Sequence, residues 1–475
     1  MTDRNPEGRM PAGKAEEPLP EGLTGGATPA GSPAKPEKPE LLELLAPAGS
    51  PAKPEKPELL APAGNPEKLR AALRFGADAV YLAGDRFGLR AGAGNFTLAE
   101  MAEGIAYAHR LGKKVYLAVN LLAHAGDVAD LPAYLDQALD LGPDACIVAD
   151  PGIVSLIRAN WPRMPIHLST QANTTNHLSA RFWHDVGVKR IVLARELSLA
   201  EMGLMRANTP QTLELEAFVH GAMCMAYSGR CFMSLTMTGR DANRGDCAQP
   251  CRWSYRISEA RRDGEVFPVE QDERGTYLYN SRDLCLIRHL PALMAAGIGS
   301  FKIEGRMKSA FYAATVVKAY REAIDAAWAG TWDEADLVRW DRELASVSNR
   351  GFTTGFLFGQ PGETAQRTDR GGYDRTADFV AVVPEDAVCE PVAVQTAEGC
   401  TVPGWRVRLE QRNHFRQTDK LECLCPIGPA VPLEVLDMRD EAGVGIDAAP
   451  HPQMPVFAVL SAPVPAGAMI RRPCL

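Results

Sequence analysis

The sequence predicts an α/β protein: a (β/α)8 barrel with a cysteine-bearing insertion, followed by a small all-β barrel domain at the C-terminus. Three observations carry that expectation. Short apolar runs alternate with helical segments from residue 58 to residue 309. Polar and charged residues gather where those runs end. Beyond residue 376 the pattern changes to short β-like runs separated by turn residues. Continuous apolar strands with helices between them mark a parallel sheet covered on both faces. The runs number eight, which suits a closed barrel, and no GxGxxG follows the first run to favour an open nucleotide-binding sheet.

In order, the predicted strands are "ELLAPAG" (58–64), "ADAVYLAG" (77–84), "KKVYLAVN" (113–120), "ACIVAD" (145–150), "PIHLSTQAN" (165–173), "KRIVLARE" (189–196), "LELEAFVHG" (213–221) and "SFKIEGRMKS" (300–309). A helix is expected near 66–75, and a long one over 310–330 closes the series. The barrel therefore spans 57–345, with an insertion at 222–296. Residues 1–56 are rich in Pro, Gly, Ala, Glu and Lys and read as a disordered leader. Within it "GSPAKPEKPELL" occurs at 31–42 and again at 49–60, a duplication of period 18 whose second copy runs on into the first strand. A linker is expected at 346–375. The β domain occupies 376–475, with runs such as "WRVRLEQ", "KLECLCPIG" and "VFAVLS".

Composition narrows the functional class. With 46% hydrophobic and 23% charged residues the chain has ordinary globular usage. It lacks an apolar run of the roughly 18–20 residues that a membrane helix needs. The N-terminus has no apolar signal-peptide core, so the expected compartment is the cytoplasm. There clustered cysteines are metal-binding or catalytic more often than disulfide-bonded. A net charge of −8 restricts any nucleic-acid binding to a local basic patch.

In a barrel, chemistry sits at the C-terminal ends of the strands. The candidates there are His220, Glu304 and Arg195 for catalysis, and Lys302, Arg306, Gln171 and Asn173 for substrate binding. The insertion opens on that face and holds Cys224, Cys231, Cys247 and Cys251, spaced C-x6-C-x15-C-x3-C. Zinc ribbons favour closer pairs on both sides, and ferredoxin runs differ too. An iron–sulfur cluster accepts ligands from irregular loops, because four thiolates need only converge on the corners of a cube. A metal or cluster site, a redox pair and structural thiols all remain open on spacing alone. Cys285 is a candidate fifth participant, and Cys146 reads as core. "RDANRGDCAQPCRWSYR" (240–256) offers Arg240, Arg244, Arg252, Trp253 and Arg256 for phosphate contact and base stacking. Neither HExxH nor GxSxG occurs. A His220–Cys224 pairing would serve a cysteine protease but leaves three thiols unexplained.

The block "ELEAFVHGAMCMAYSGRCFMS" (214–234) resembles the collagenase-like peptidase family U32. "LLAPAGN", "GADAVYLAG", "NSRDLC", "FKIEGRMKS" and "RGFTTGFLFG" are similar to further blocks of that family, in the same order. The resemblance is strongest to its tRNA-hydroxylating branch. It implies O2-independent formation of 5-hydroxyuridine at the tRNA wobble position, a [4Fe–4S] cluster on the four cysteines, and prephenate, a small dicarboxylate, as hydroxyl source. Related branches hydroxylate ribosomal RNA or a quinone precursor, and peptidase activity is the alternative within the family. Lys302, Arg306 and Arg195 on the rim suit a dicarboxylate.

Overall fold

The computed structural model describes residues 55–89, 94–253, 271–272, 275–276, 281–361, 365–367, 372–395 and 400–474. The leader up to residue 54, with the first copy of its repeat, and Arg256 lie outside the described residues. The eight expected strands form the barrel: β1 (Glu58–Pro62), β2 (Ala79–Leu82), β3 (Lys114–Val119), β4 (Ala145–Val148), β5 (Ile166–Leu168), β6 (Arg190–Val192), β7 (Glu214–Gly221) and, after the insertion, β9 (Ser300–Ile303). Each pairs parallel with the next, and β9 closes the ring against β1 (Leu60↔Lys302) and β7 (Lys302↔Phe218).

Local chemistry places the helices. Helix α1 (Pro66–Arg74) starts with Pro66 in its first turn, and the Asn65 side chain accepts from Lys68 N at 2.9 Å. A capping box of Thr97 and Glu100 starts α2 (Leu98–Arg110), and α3 (Ala125–Asp140) and α4 (Pro151–Asn160) follow. Asn176 caps α5 (His177–Asp185), and Ser198 with Glu201 forms the capping box of α6 (Leu199–Ala207). The described part of the insertion carries the short helix α7 (Met233–Thr238), and α8 (Leu290–Ala295) leads into β9. Ser309 caps α9 (Ala310–Ala329), whose face from Phe311 to Ile324 is buried on the barrel, and α10 (Glu334–Ser346) follows.

Two short strands extend this sheet beyond the expected eight. Where β6 ends, β8 (Asp283–Cys285) takes the same flank of β7, antiparallel, through Leu284↔Gly221 and Cys285↔His220. β10 (Phe352–Thr353) then pairs parallel with β8. The tail of the expected insertion and part of the expected linker thus belong to the barrel sheet. A buried bidentate pair fastens them, with Arg350 Nε and Nη2 donating to Asp283 Oδ1 at 3.1 and 2.6 Å.

Beyond residue 376 the chain forms an antiparallel eight-stranded sheet, as expected of an all-β domain. Its strands are β11 (Ala377–Val382), β12 (Glu390–Gln395), β13 (Thr401–Gln411), β15 (Leu421–Leu424), β16 (Val431–Leu433), β17 (Val435–Arg439), β19 (Pro455–Leu460) and β20 (Met469–Pro473). The two-residue strands β14 (Phe415–Arg416) and β18 (Ala448–Ala449) pair apart from it. The sheet path runs β16-β15-β20-β11-β13-β19-β17, with β12 beside β13. Its two end strands, β16 and β17, are separated in sequence by Glu434 alone, so the sheet must roll up to let them meet. The inward alternate residues, among them Val380, Val407, Leu409, Phe415 and Ile470, fill its core.

Among the described residues no helix is long and apolar enough to cross a membrane.

Candidate functional site at the C-terminal mouth of the barrel

Hydrogen bonds tie the insertion to the barrel mouth and brace it internally. Glu196, just beyond β6, accepts from Ser228 N at 2.6 Å and Ser228 Oγ at 2.5 Å. Arg244 donates both Nη groups to Asp127 on α3, at 2.6 and 2.8 Å, and this pairing holds the Asp127 carboxyl down at about 2. Asn243 brackets Cys231, accepting from its N–H at 3.2 Å and donating to its carbonyl at 3.0 Å. The chain leaves β7 through Gly221, at φ +112°, where a Cβ would lie 2.4 Å from the Glu304 carbonyl oxygen. Glycine is required there by both backbone conformation and space.

These ties wall a cavity of about 510 Å³ over the barrel mouth. Cys224, Cys231, Cys247 and Cys251 all line it, with Asn120, Gln171, Arg195, Lys302, Glu304, Arg306 and Lys308. Two thiols already accept backbone N–H groups, Cys231 Sγ from Met233 N at 3.3 Å and Cys247 Sγ from Gln249 N at 3.4 Å. Burial pushes the Cys251 thiol up; Arg252 opposes this, and Cys224 and Cys247 are near enough to add to it. Among the described residues no group of three or more His, Cys, Asp or Glu side chains stands where one metal ion would be held. The four thiols are therefore not drawn to a single point as in a tetrahedral zinc site. As a donor set they suit a larger polynuclear group: four sulfurs around one cavity, two with N–H donors and Arg252 alongside.

Under the cavity lies a charged layer inside the barrel. Lys302 Nζ donates to Glu216 at 3.0 Å and sits 4.6 Å from the Tyr81 ring centre. Arg190 reaches Glu58 at 2.5 Å, Glu214 at 2.6 Å and Glu216 at 3.1 Å, and Tyr116 donates to Glu58 at 2.7 Å. Burial alone would raise Glu216, but Lys302 and Arg190 outweigh it and keep the carboxyl below its ordinary value. Arg195 stacks 5.1 Å from the Phe218 ring centre and donates to the Ala222 carbonyl at 2.8 Å. Gln171 accepts from Asn120 at 3.2 Å, and its carbonyl accepts from Arg230 at 2.7 Å.

Two expected site residues face elsewhere. Alternation from Glu216 and Phe218 would aim His220 inward, but the register against β9 skips Val219: Lys302 pairs with Phe218, and Ile303 with His220. This bulge turns the imidazole outward. There it packs against Tyr312, Tyr320 and Phe352, with Nδ1 3.4 Å from the Tyr320 hydroxyl. Among the described residues no histidine lines the cavity. Asn173 adopts a left-handed conformation and donates to the Tyr227 carbonyl at 3.4 Å, outside the cavity wall. Cys285 lies with its thiol 3.7 Å from the Tyr320 hydroxyl, also away from the cavity, and Cys146 is buried in β4.

The profile of peptidase family U32 matches residues 64–367, and that of its C-terminal domain matches 393–471. The chain belongs to peptidase family U32. Its U32 relatives differ in what their names say they do. "tRNA hydroxylation protein P1" of Bacillus subtilis (strain 168) is 40% identical over 397 residues, 83% of this chain and 89% of that protein. "Collagenase" of Porphyromonas gingivalis is 37% identical over 314 residues, 63% of this chain and 73% of that one. "23S rRNA 5-hydroxycytidine C2501 synthase" of Escherichia coli (strain K12) is 39% identical over 267 residues, 56% of this chain and 39% of that protein.

In this U32 chain the expected RNA-contact residues are unequal. Arg244 is committed to Asp127, whereas Arg240 pairs with Asp246 at 2.7 Å on the surface. Arg252 reaches Gln249 and donates to the Tyr373 hydroxyl at 2.7 Å. Trp253 is exposed, as are Tyr227 and Phe232 on the same insertion. Sequence reasoning missed Lys308, which lines the cavity, donates to the Ser348 carbonyl at 3.0 Å and sits 3.9 Å from the Tyr373 ring centre. It also missed the Glu216–Lys302 pair. The available signal was Glu216 itself, a carboxylate at an inward position of an otherwise apolar strand.

Proposed function

We propose that this chain is an RNA hydroxylase that forms 5-hydroxyuridine at the wobble position of tRNA without molecular oxygen. It uses a [4Fe–4S] cluster and takes the hydroxyl from prephenate. The observation that carries this reading is the meeting of Cys224, Cys231, Cys247 and Cys251 with Gln171, Arg195, Lys302 and Arg306 around one cavity. RNA hydroxylation as a class is supported by relatives named for tRNA hydroxylation and for 23S rRNA 5-hydroxycytidine synthesis.

A cluster held by the four thiolates supplies redox or Lewis-acid chemistry beside the bound substrates. The chain's own residues do the positioning. Arg195, Lys302 and Arg306 present cationic groups to a dicarboxylate, with Lys302 held in place by Glu216. Gln171 and Asn120 offer amides for orientation, and Glu304 and Asp246 are carboxylates on the wall that can hold or move a proton. Exposed Tyr227, Phe232 and Trp253 provide ring faces, and Arg240 and Arg252 provide charge, for an RNA loop at the mouth. A cysteine-protease reading built on the cavity thiols requires an imidazole within reach of one of them. His220 is turned to Tyr320, and among the described residues no histidine lines the cavity.

Nucleoside mass spectrometry of tRNA from a deletion strain tests the substrate. Loss of 5-hydroxyuridine derivatives, restored by the intact gene and not by Cys251→Ala, is expected; unchanged levels in a strain without a redundant pathway overturn it. Anaerobic purification tests the cofactor: a brown protein with a broad absorbance at about 400 nm, lost in Cys224→Ala. A colourless, iron-free protein that still hydroxylates tRNA overturns the cluster.

A further inference from the structure

The C-terminal domain holds a second thiol cluster that the RNA-hydroxylase reading does not use. Among the described residues none beyond Tyr373 lines the barrel cavity. Cys423 lies in β15, paired with Val431 on one side and Ile470 on the other, and its side chain is buried in the domain core. Cys425 follows one residue past the end of that strand and is half-buried. Two residues apart at a strand end, the thiols come together, with Sγ to Sγ at 3.4 Å. That is van der Waals contact between sulfurs, about 1.4 Å longer than a disulfide bond. Cys389 packs partly buried against the same core. The loop that begins at Cys425 is anchored on the barrel side, where Lys318 of α9 donates to the Gly428 carbonyl at 2.6 Å.

We infer that Cys423 and Cys425 form a reversible thiol–disulfide site, oxidised by hydroperoxides and reset by thiols. The asymmetry of the pair assigns the roles. Cys425 reaches solvent, while Cys423 is enclosed. The hydrogen bond between them holds the Cys425 thiol down at about 7, with Lys318 helping against burial, and pushes Cys423 up. The Cys425 thiolate attacks the terminal peroxide oxygen, the O–O bond breaks, and the alcohol or water leaves with a proton. Cys425 is then a sulfenic acid. Cys423 sulfur attacks the Cys425 sulfur, the S–O bond breaks, and water departs with the Cys423 proton. In sum, two thiols give up two electrons and two protons, and the hydroperoxide becomes an alcohol (or water) plus one water. A disulfide bridging residues two apart closes a tight ring, and strained disulfides are the readily reduced ones.

Trypsin isolates this site, since Leu421–Arg439 is one peptide with these two cysteines and no other. The reduced full-length protein, freed of reductant, is titrated with hydrogen peroxide, alkylated, digested and weighed. The expected result is a Leu421–Arg439 peptide lighter by two hydrogens and unalkylated, appearing before exposed Cys400 and Cys474 are oxidised, and reversed by dithiothreitol. In Cys425→Ser, peroxide should leave Cys423 alkylatable. In Cys423→Ser, or in Cys423→Ala should the serine unfold the core, dimedone should trap a sulfenic acid on Cys425. Circular dichroism melts confirm the fold of each variant. A peptide alkylated at both positions while Cys400 and Cys474 are oxidised overturns the inference. So does a Cys389–Cys425 cross-linked pair in place of the internal bond.

Discussion

His220 turns burial into a pH dependence. Burial, and secondarily the charge of Lys308, brings its pKa down to about 4 against the opposing pull of Asp283. The unfolded imidazole titrates at about 6.5. Between those values the unfolded chain binds more protons, so stability falls as pH falls through the window, by on the order of 3 kcal/mol in all. Urea unfolding of wild type and His220→Gln at pH 7 and pH 4.5 should show that loss in wild type and a smaller one in the variant. Lys308 behaves in the opposite range. Burial first, then Arg252 and Arg350, brings it down to about 8, with Asp283 opposing. The unfolded chain then holds the extra proton between about 8 and 10.4, so this residue's contribution to stability rises with pH across that window. In the cavity the same titration removes a cation from the wall. Affinity for an anionic substrate should drop above pH 8, measured as a rise in KM, and Lys308→Met should flatten that step. Arg195, Lys302, Glu304 and Arg306 were legible in the sequence because each ends an apolar run. His220 satisfied the same rule and still faces away, because a one-residue bulge leaves no trace in composition.

At the scale of elements, the eight barrel strands and the cysteine insertion were legible because apolar runs and helix caps alternate strongly. β8 and β10 were not, since strands of two or three residues carry no periodicity. What gives them their place is the Arg350–Asp283 pair and the free flank of β7 beyond β6. The joint between β7 and the insertion is the most sensitive point. Gly221→Ala meets the Glu304 carbonyl in a backbone region that disfavours side chains. Its cost is on the order of 1–3 kcal/mol or more, read as a lower urea midpoint. Because the carbonyl lies on β9's continuation, the same change should pull Cys224 out of line with the other thiols and, on the proposed cluster reading, lower the iron bound per chain, measured by metal analysis after reconstitution.

For the whole molecule, the C-terminal domain is bound to the barrel by named contacts. Arg471 of β20 donates to both Glu343 oxygens on α10, at 2.6 and 3.0 Å, and Arg412 reaches Glu67 on α1 at 2.7 Å. Phe311 of α9 and Phe379 of β11 stack with ring centres 5.3 Å apart. Arg471→Met removes a guanidinium from between Glu343 and Glu422 and leaves carboxylates partly buried without their partner. A loss of about 3 kcal/mol is expected, measured by chemical unfolding of the full-length protein. The all-β character of this domain was legible from its turn-separated runs. Its attachment was not, because an arginine that spans two domains looks in sequence like any surface charge.

The unmatched Val219 makes the side chain that the end of β7 offers the cavity a matter of parity. With the bulge, odd and even positions of β7 exchange faces just before the strand ends, and an imidazole is traded out of the thiol-lined chamber. One residue inserted between Lys302 and Ile303 of β9 would give Val219 a partner, restore strict alternation along β7 and swing His220 toward the wall that holds Cys224. A chain of this architecture therefore stands a single codon from a thiol–imidazole pairing, with every other strand of the barrel unchanged.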